Sequence, residues 1–283
     1  MAQPFTPETI LVPPAWLHAH LDDPAVRIID TRPRAQYAAG HIPGAVSLDV
    51  YALPCHDTSA EGLAAFARRM EEAFSACGVA EGQTVVFYDE VAGQWAARGL
   101  WCLYYLGHDG GRLLDGGLRT WQAAGYPLSD APGTVAPTAF RARPRPEEVA
   151  DYQAVLAAIQ DPHVDIVDTR RPSEYAGTEI RAPRGGRIPG AVHLDWVHNL
   201  RPDGTLKSPQ ELADQYAQLG LSPSREVITY CQGGYRAAHT WLVLKLLGYP
   251  RVRNYVGSWA EWGRREELPV EHLTRPAPEA GTS

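Results

Sequence analysis

The sequence is short of cysteine, with four in 283 residues: Cys55, Cys77, Cys102 and Cys231. Thiols this sparse do not make a disulfide scaffold. No two stand at a Cys-x-x-Cys spacing, which argues against a zinc knuckle. Positive charge is not in excess either: 26 Lys and Arg face 33 Asp and Glu, a net charge of −7. The chain therefore lacks the basic face that non-specific nucleic-acid binding needs, although a local basic pocket for a small anion stays open. No apolar run approaches about 18 residues, so no membrane span is expected. The start, MAQPFTPETILVPPAWLHAH, has no basic segment leading into a long apolar one, and no signal peptide is read there. GxGxxG, P-loop and metal-ligand spacings are missing, so no cofactor and no metal are expected. With 45% hydrophobic and 21% charged residues, the chain reads as globular, soluble and cytoplasmic, with reduced thiols.

What the chain does have is a second copy of itself. VRIIDTRPRAQYAAGHIPGAVSLD (26–49) returns as VDIVDTRRPSEYAGTEIRAPRGGRIPGAVHLD (164–195), with eight extra residues before its IPGAV. TVVFYDEVAGQWAARGLWCLYYLGH (84–108) returns as EVITYCQGGYRAAHTWLVLKLLGY (226–249), and GGLRTW (116–121) returns loosely as GSWAEW (257–262). A period of half the chain marks a duplicated domain; solenoid repeats are far shorter. Residues 1–130 read as one domain and 148–283 as the other. The proline-rich stretch between, 131–147, reads as a linker.

Both copies show one coarse order. A helical stretch (14–21; 148–159) precedes a β-branched strand (27–30; 165–168) and the IPGAV loop. A second helical stretch (63–77; 209–218), a strand (84–88; 226–230), a helix (94–106; 237–247) and a short strand follow. Short apolar strands alternating with helices predict two α/β domains, each a mainly parallel sheet flanked by helices on both faces. Ligands in such sheets bind at the carboxyl ends of the strands. Cys231 lies at such an end, after EVITY.

A lone cysteine at a strand end is ordinarily a small buried hydrophobe. The loop CQGGYRA points to a nucleophile instead. Gly233 and Gly234 allow positive φ, which turns backbone N–H groups inward as an anion nest. The next helix adds its positive end, and Arg236 adds a fixed cation. A thiolate in that field should ionise readily. The first copy is an internal control. Asp89 stands where Cys231 does, Trp95 where Arg236 does, and the loop is one residue longer. The first half is read as a catalytically silent duplicate that covers one side of the cleft.

These residues together resemble the tandem-domain rhodaneses, the thiosulfate and 3-mercaptopyruvate sulfurtransferases. The resemblance covers nearly the whole chain. It rests on the paired DTR…IPGA blocks (Asp30–Arg32 with Ile42–Ala45; Asp168–Arg170 with Ile188–Ala191), LKSPQEL (206–212), CQGGYRA and GSWAEW. It implies two rhodanese-like domains, the second catalytic. Cys231 would take the outer sulfur of thiosulfate as a persulfide, release sulfite, and pass the sulfur to a thiophilic acceptor such as cyanide or a thiol. Gln232, Gly233, Gly234, Tyr235 and Arg236 would surround the sulfur. Arg181, Arg184 and Arg187 of the insertion fall where related enzymes place substrate arginines, and Arg184 and Arg187 are the favoured ligands. The partners implied are a small anionic sulfur donor and a thiophilic acceptor, with room for an unidentified acceptor protein and none for nucleic acid or membrane.

Asp168 and Arg170 recur as Asp30 and Arg32 in the silent half and so read as supporting the fold, with Glu174 in the same network. Trp259 and Trp262 read as packing residues, and His239 as a helix-face residue outside the chemistry. Cys77 and Cys102 read as packing, and Cys55 has no assigned role. Three rivals to a thiosulfate enzyme stand. A mercaptopyruvate enzyme of this family carries small neutral residues in its loop, where this one has Gln232 and Arg236. A cysteine phosphatase of the same fold places five residues between Cys and Arg, where this loop has four. A protein-partnered sulfur carrier is the third.

Overall fold

The computed structural model describes residues 5–272. Its first half runs α1 (Pro7–Ile10), β1 (Leu11–Val12), α2 (Pro14–Ala19), β2 (Val26–Asp30), α3 (Arg34–Ala39), β3 (Val46–Ser47), α4 (Ala60–Ala76), β4 (Thr84–Tyr88), α5 (Gln94–Tyr105), β5 (Gly111–Leu114) and α6 (Gly117–Ala123). The second half runs β6 (Val149–Ala150), α7 (Tyr152–Ala158), β7 (Val164–Asp168), α8 (Pro172–Tyr175), β8 (Val192–His193), α9 (Pro209–Gln218), β9 (Glu226–Tyr230), α10 (Tyr235–Leu246), β10 (Val252–Tyr255) and α11 (Ser258–Trp262). Each half folds into a five-stranded sheet, in the order β1-β5-β4-β2-β3 and β6-β10-β9-β7-β8. All strand pairs in both are parallel.

The central strands are runs of β-branched and aromatic residues, and their last four residues are buried on both faces in β4 and β9. Strands of that kind belong under helices on both sides. The helices are cut by local signals. Ser59 caps α4 by accepting from Gly62 N, and Phe66, Met70 and Phe74 then repeat at four-residue spacing into the core. Ser208 and Glu211 form a capping box at the start of α9, which satisfies two orphan N–H donors reciprocally.

The helix expected at 148–159 is shorter than that. Asp151 accepts from Ala154 N and starts α7 there, so Val149 and Ala150 are free to pair with β10 as an edge strand. The proline-rich connector is laid along the first half: Thr138 N bonds Ser75 O, and Arg143 and Arg145 bond the carbonyls that end α5.

α5 and α10 carry apolar residues on nearly every face and are buried almost throughout. The reason is that each packs on its own sheet and on the other helix. One hydrophobic cluster runs through both halves, from Phe74 and Leu100 to Trp241 and Val252. The two domains are therefore joined back to back through their last long helices, and the loops that begin those helices face each other.

Candidate active site

β7 and β9 pair in register from Val164 with Glu226 to Asp168 with Tyr230. Cys231 is the first residue beyond that ladder, 1% exposed, at the floor of a cavity of about 770 Å³. Gly234 sits in the left-handed region at φ 83°. That conformation turns its N–H back to donate to Cys231 Sγ at 3.1 Å. A Cβ there would lie 2.7 Å from Val256 O and 2.9 Å from Arg98 Nη1, so the close approach also requires glycine. Gly233 needs no positive φ. Only one of the two glycines is used for the turn, and the other leaves the mouth open.

The loop is braced from β10 and α11. Cys231 N donates to Ser258 Oγ at 3.1 Å, and Cys231 O and Gln232 O accept from Trp259 N and Ala260 N. Ser258 holds φ 52°, the one positive φ on a non-glycine among the described residues. Its silent-half counterpart is Gly117, at φ 60°.

Arg236, on the first turn of α10, lines the cavity beside Cys231. It donates to both oxygens of Glu174, at 2.5 and 3.0 Å. Glu174 is buried and also faces Arg171 and Arg181. Burial opposes its charge, but the bond from Arg236 and the nearby arginines hold its carboxyl down at about 2. Burial likewise works against a Cys231 thiolate. The Arg236 charge and the N–H groups of Ala237, Gly233 and Gly234 outweigh it, and the thiol ionises below its ordinary value. The other three thiols lie in the first half, and burial pushes Cys55, Cys77 and Cys102 each up to about 11.

The first half keeps the nest and fills it. The Asp89 carboxylate accepts from Val91 N, Trp95 N and Ala96 N at 3.0, 3.0 and 3.1 Å. With Trp95 where Arg236 stands, burial dominates and raises this carboxyl to about 6. The sequence comparison missed this retained nest, because Asp89 does not look like a cysteine even though it binds the same donors.

Arg184 and Arg187, the arginines favoured as ligands from the sequence, lie outside the cavity lining. Arg184 donates to the carbonyls of Trp262, Gly263, Arg265 and Leu268, closing the end of α11, and it does not line the cavity. Arg187 pairs with Glu271 and lies 4.5 Å over the Tyr175 ring. His41, its counterpart, stacks on Tyr37 in the same way and bridges Ser129 as Arg187 bridges Glu271. The cations that do line the cavity are Arg171, Arg181, Arg236 and Arg264. Gln232 lines it too, with Nε2 donating to Arg181 O at 3.0 Å, as does Tyr235, whose hydroxyl reaches Val50 O across the domains.

Asp168 and Arg170 form a buried pair at 2.6 Å, duplicated by Asp30 and Arg32 at 2.6 Å. Each arginine also donates to the carbonyl ahead of its IPGAV turn, Gly186 or Gly40. Glu174, which the sequence places in the same network, bonds Arg236 instead. Its counterpart in the silent half is Gln36, so cation and counter-ion disappear together there; that paired difference was the sequence signal available for it. His239 is fully buried, accepts from Asn199 at 3.4 Å and donates to Ala92 O of the other half at 2.9 Å. Burial pulls it to about 4, leaving it neutral and engaged away from the thiol. Trp259 and Trp262 are buried packing residues, each indole N–H donating to a carbonyl.

A family profile described as "Rhodanese-like domain" matches residues 13–124 and 151–265. The chain is 36% identical over 269 residues to the thiosulfate sulfurtransferase of Azotobacter vinelandii, covering 94% of this chain and 98% of that one. It is 34% identical to the sulfur carrier protein TtuD of Thermus thermophilus, covering 92% and 96%. Among solved structures it is similar to the anaerobic ergothioneine biosynthesis enzyme from Chlorobium limicola in complex with trimethyl histidine. That match has a TM-score of 0.84, 27% identity, and covers 94% of this chain and 71% of that one.

Proposed function

The chain belongs to the rhodanese-like family of sulfurtransferases, and from that premise we propose that it moves the sulfane sulfur of thiosulfate to a thiophilic acceptor through a Cys231 persulfide. The observation that carries this reading is the bond from Gly234 N to Cys231 Sγ, with Arg236 fixed beside it by Glu174. A thiolate prepared in this way attacks a small anion whose charge the same groups tolerate.

The Cys231 thiolate attacks the outer sulfur of thiosulfate and a new S–S bond forms. The bond from that sulfur to the sulfonate breaks, and its electron pair leaves with sulfite. The persulfide carries the negative charge and takes the N–H groups of the nest. Arg236, Arg181 and Arg171 supply cation density to the incoming dianion, with Gln232, Gly233 and Tyr235 shaping the wall. An acceptor such as cyanide or a thiolate then attacks the terminal sulfur and returns the thiolate. The cavity lies in the size range of organic-ligand sites, so an acceptor larger than cyanide fits beside the sulfur. Asp168 and Arg170 support the loop beneath and touch neither reactant.

Thiosulfate is favoured over 3-mercaptopyruvate by the buried cation at Arg236, which benefits a dianion more than a carboxylate. The test supplies each donor in turn and measures sulfite or pyruvate. Sulfite release that Cys231→Ser abolishes is the expected result. Pyruvate release alone would replace thiosulfate with mercaptopyruvate, and hydrolysis of an aryl phosphate lost on the same substitution would replace sulfur transfer with phosphatase chemistry.

A further inference from the structure

The silent half sends one cation to the back of the Cys231 loop. Arg98, on α5, is 1% exposed, and no carboxylate pairs with it among the described residues. Its guanidinium lies 5.1, 5.0 and 5.0 Å from the rings of Phe66, Trp101 and Tyr235. Nη1 donates to Gly234 O at 3.4 Å, and Nη2 is buried without a partner. Gly234 is the residue whose N–H holds Cys231 Sγ. A single residue thus joins the silent domain's cation to the sulfur.

Three aromatic faces soften the burial of this charge but do not neutralise it, and an unpaired buried cation is costly. The groups around it offer no counter-charge. Cys55 and Cys102 stay protonated, Tyr235 and His56 are neutral near pH 7, and Glu261 is engaged by Thr58 and Arg265. The duplicate shows what bracing alone requires. In the reciprocal position on α10, neutral His239 donates to Ala92 O of the silent loop. A neutral donor is enough to hold a loop, and on the Cys231 loop neutral Asn254 already donates to Gly234 O at 3.1 Å; the Arg98 cation is added to that bond at 3.4 Å.

We propose that Arg98 is a positioning residue of the active site: its charge, delivered from the silent domain through the Gly234 peptide, holds the N–H on Cys231 Sγ and balances the negative charge that the sulfur acquires as thiolate and as persulfide. This gives the silent half a part in the chemistry beyond forming a wall of the cleft. The inference rests on Cys231 being the nucleophile but on no particular sulfur donor.

The test is the pH dependence of Cys231 alkylation by iodoacetamide, followed by peptide mass analysis so that the other thiols are scored separately. The variants are Arg98→Gln and Arg98→Met, which remove the charge, and Arg98→Lys, which keeps it. Removing the charge is expected to raise the alkylation midpoint by about one pH unit, the size of a nearby opposite charge's effect. With whichever sulfur donor the wild type turns over, kcat should fall while the donor KM is kept, and Arg98→Lys should stay near the wild-type midpoint. Neutral variants that fold with an unshifted midpoint would overturn the proposal. So would neutral variants that never fold while Arg98→Lys folds with a midpoint displaced upward, since charge would then not be the operative property. Wild-type Cys231 that alkylates only at the pH of an ordinary thiol would instead sink the nucleophile assignment itself.

Discussion

At the scale of residues, the site depends on a pair more than on a single group. Arg236 can face the sulfur because Glu174 fixes its two terminal nitrogens, Nη1 and Nη2. Replacing one partner of a buried pair leaves the other uncompensated, at a cost of about 3–5 kcal/mol. Glu174→Gln is therefore expected to lower thermal stability at neutral pH and to raise the alkylation midpoint of Cys231. The sign follows from linkage. Glu174 is held down at about 2 from an ordinary 4.5, so it stabilises the fold above the ordinary value, and that contribution is lost as pH falls from 4.5 towards 2. Melting curves across that window should show wild type losing more stability than Glu174→Gln. Parallel loss in both would contradict the pairing. The same scale shows where sequence reading stopped. Cys231 and Arg236 were legible because the duplicate lacks both. Arg184 and Arg187 drew attention as charges in an insertion, yet what an arginine does in a loop depends on which carbonyls and rings surround it, and these arise from α11 and Tyr175.

At the scale of elements, the Cys231 loop is a turn between β9 and α10 held by the start of α11. Gly234 is committed to φ 83° and to a gap that a Cβ would close against Val256 O. Gly233 has neither constraint, and its nearest neighbour for a Cβ is the Tyr235 ring at 3.4 Å. Gly234→Ala should cost about 1–3 kcal/mol from backbone strain and abolish sulfite release. Gly233→Ala should fold with near wild-type stability. Equal effects in thermal melts and assays would show that the turn is not set by Gly234. The strands and long helices could be read from their periodicity. The edge strands could not, since two residues such as Val149 and Ala150 carry no period; pairing with β10 makes them strands.

At the scale of the whole molecule, duplication separates fold from chemistry. What both halves share, the Asp–Arg pair, the IPGAV turn and the brace from the last helix, builds the sheet end. What only one half has, Cys231, Arg236 and Glu174, builds the proposed reactive site. The first half is not an empty copy: Asp89 occupies its own nest, Arg98 reaches the other loop, and the core of each half continues into the other. These roles were hidden from sequence because they depend on two helices 141 residues apart in register, Arg98 and His239, crossing back to back.

The central claim is that Cys231 takes one sulfur atom from thiosulfate, and intact mass tests it most directly. After incubation with thiosulfate and removal of excess donor, the wild-type chain should gain the mass of one sulfur atom. The gain should vanish on adding cyanide and be absent in Cys231→Ala. A wild-type chain whose mass does not change, or a Cys231→Ala chain that still gains sulfur, would contradict the account.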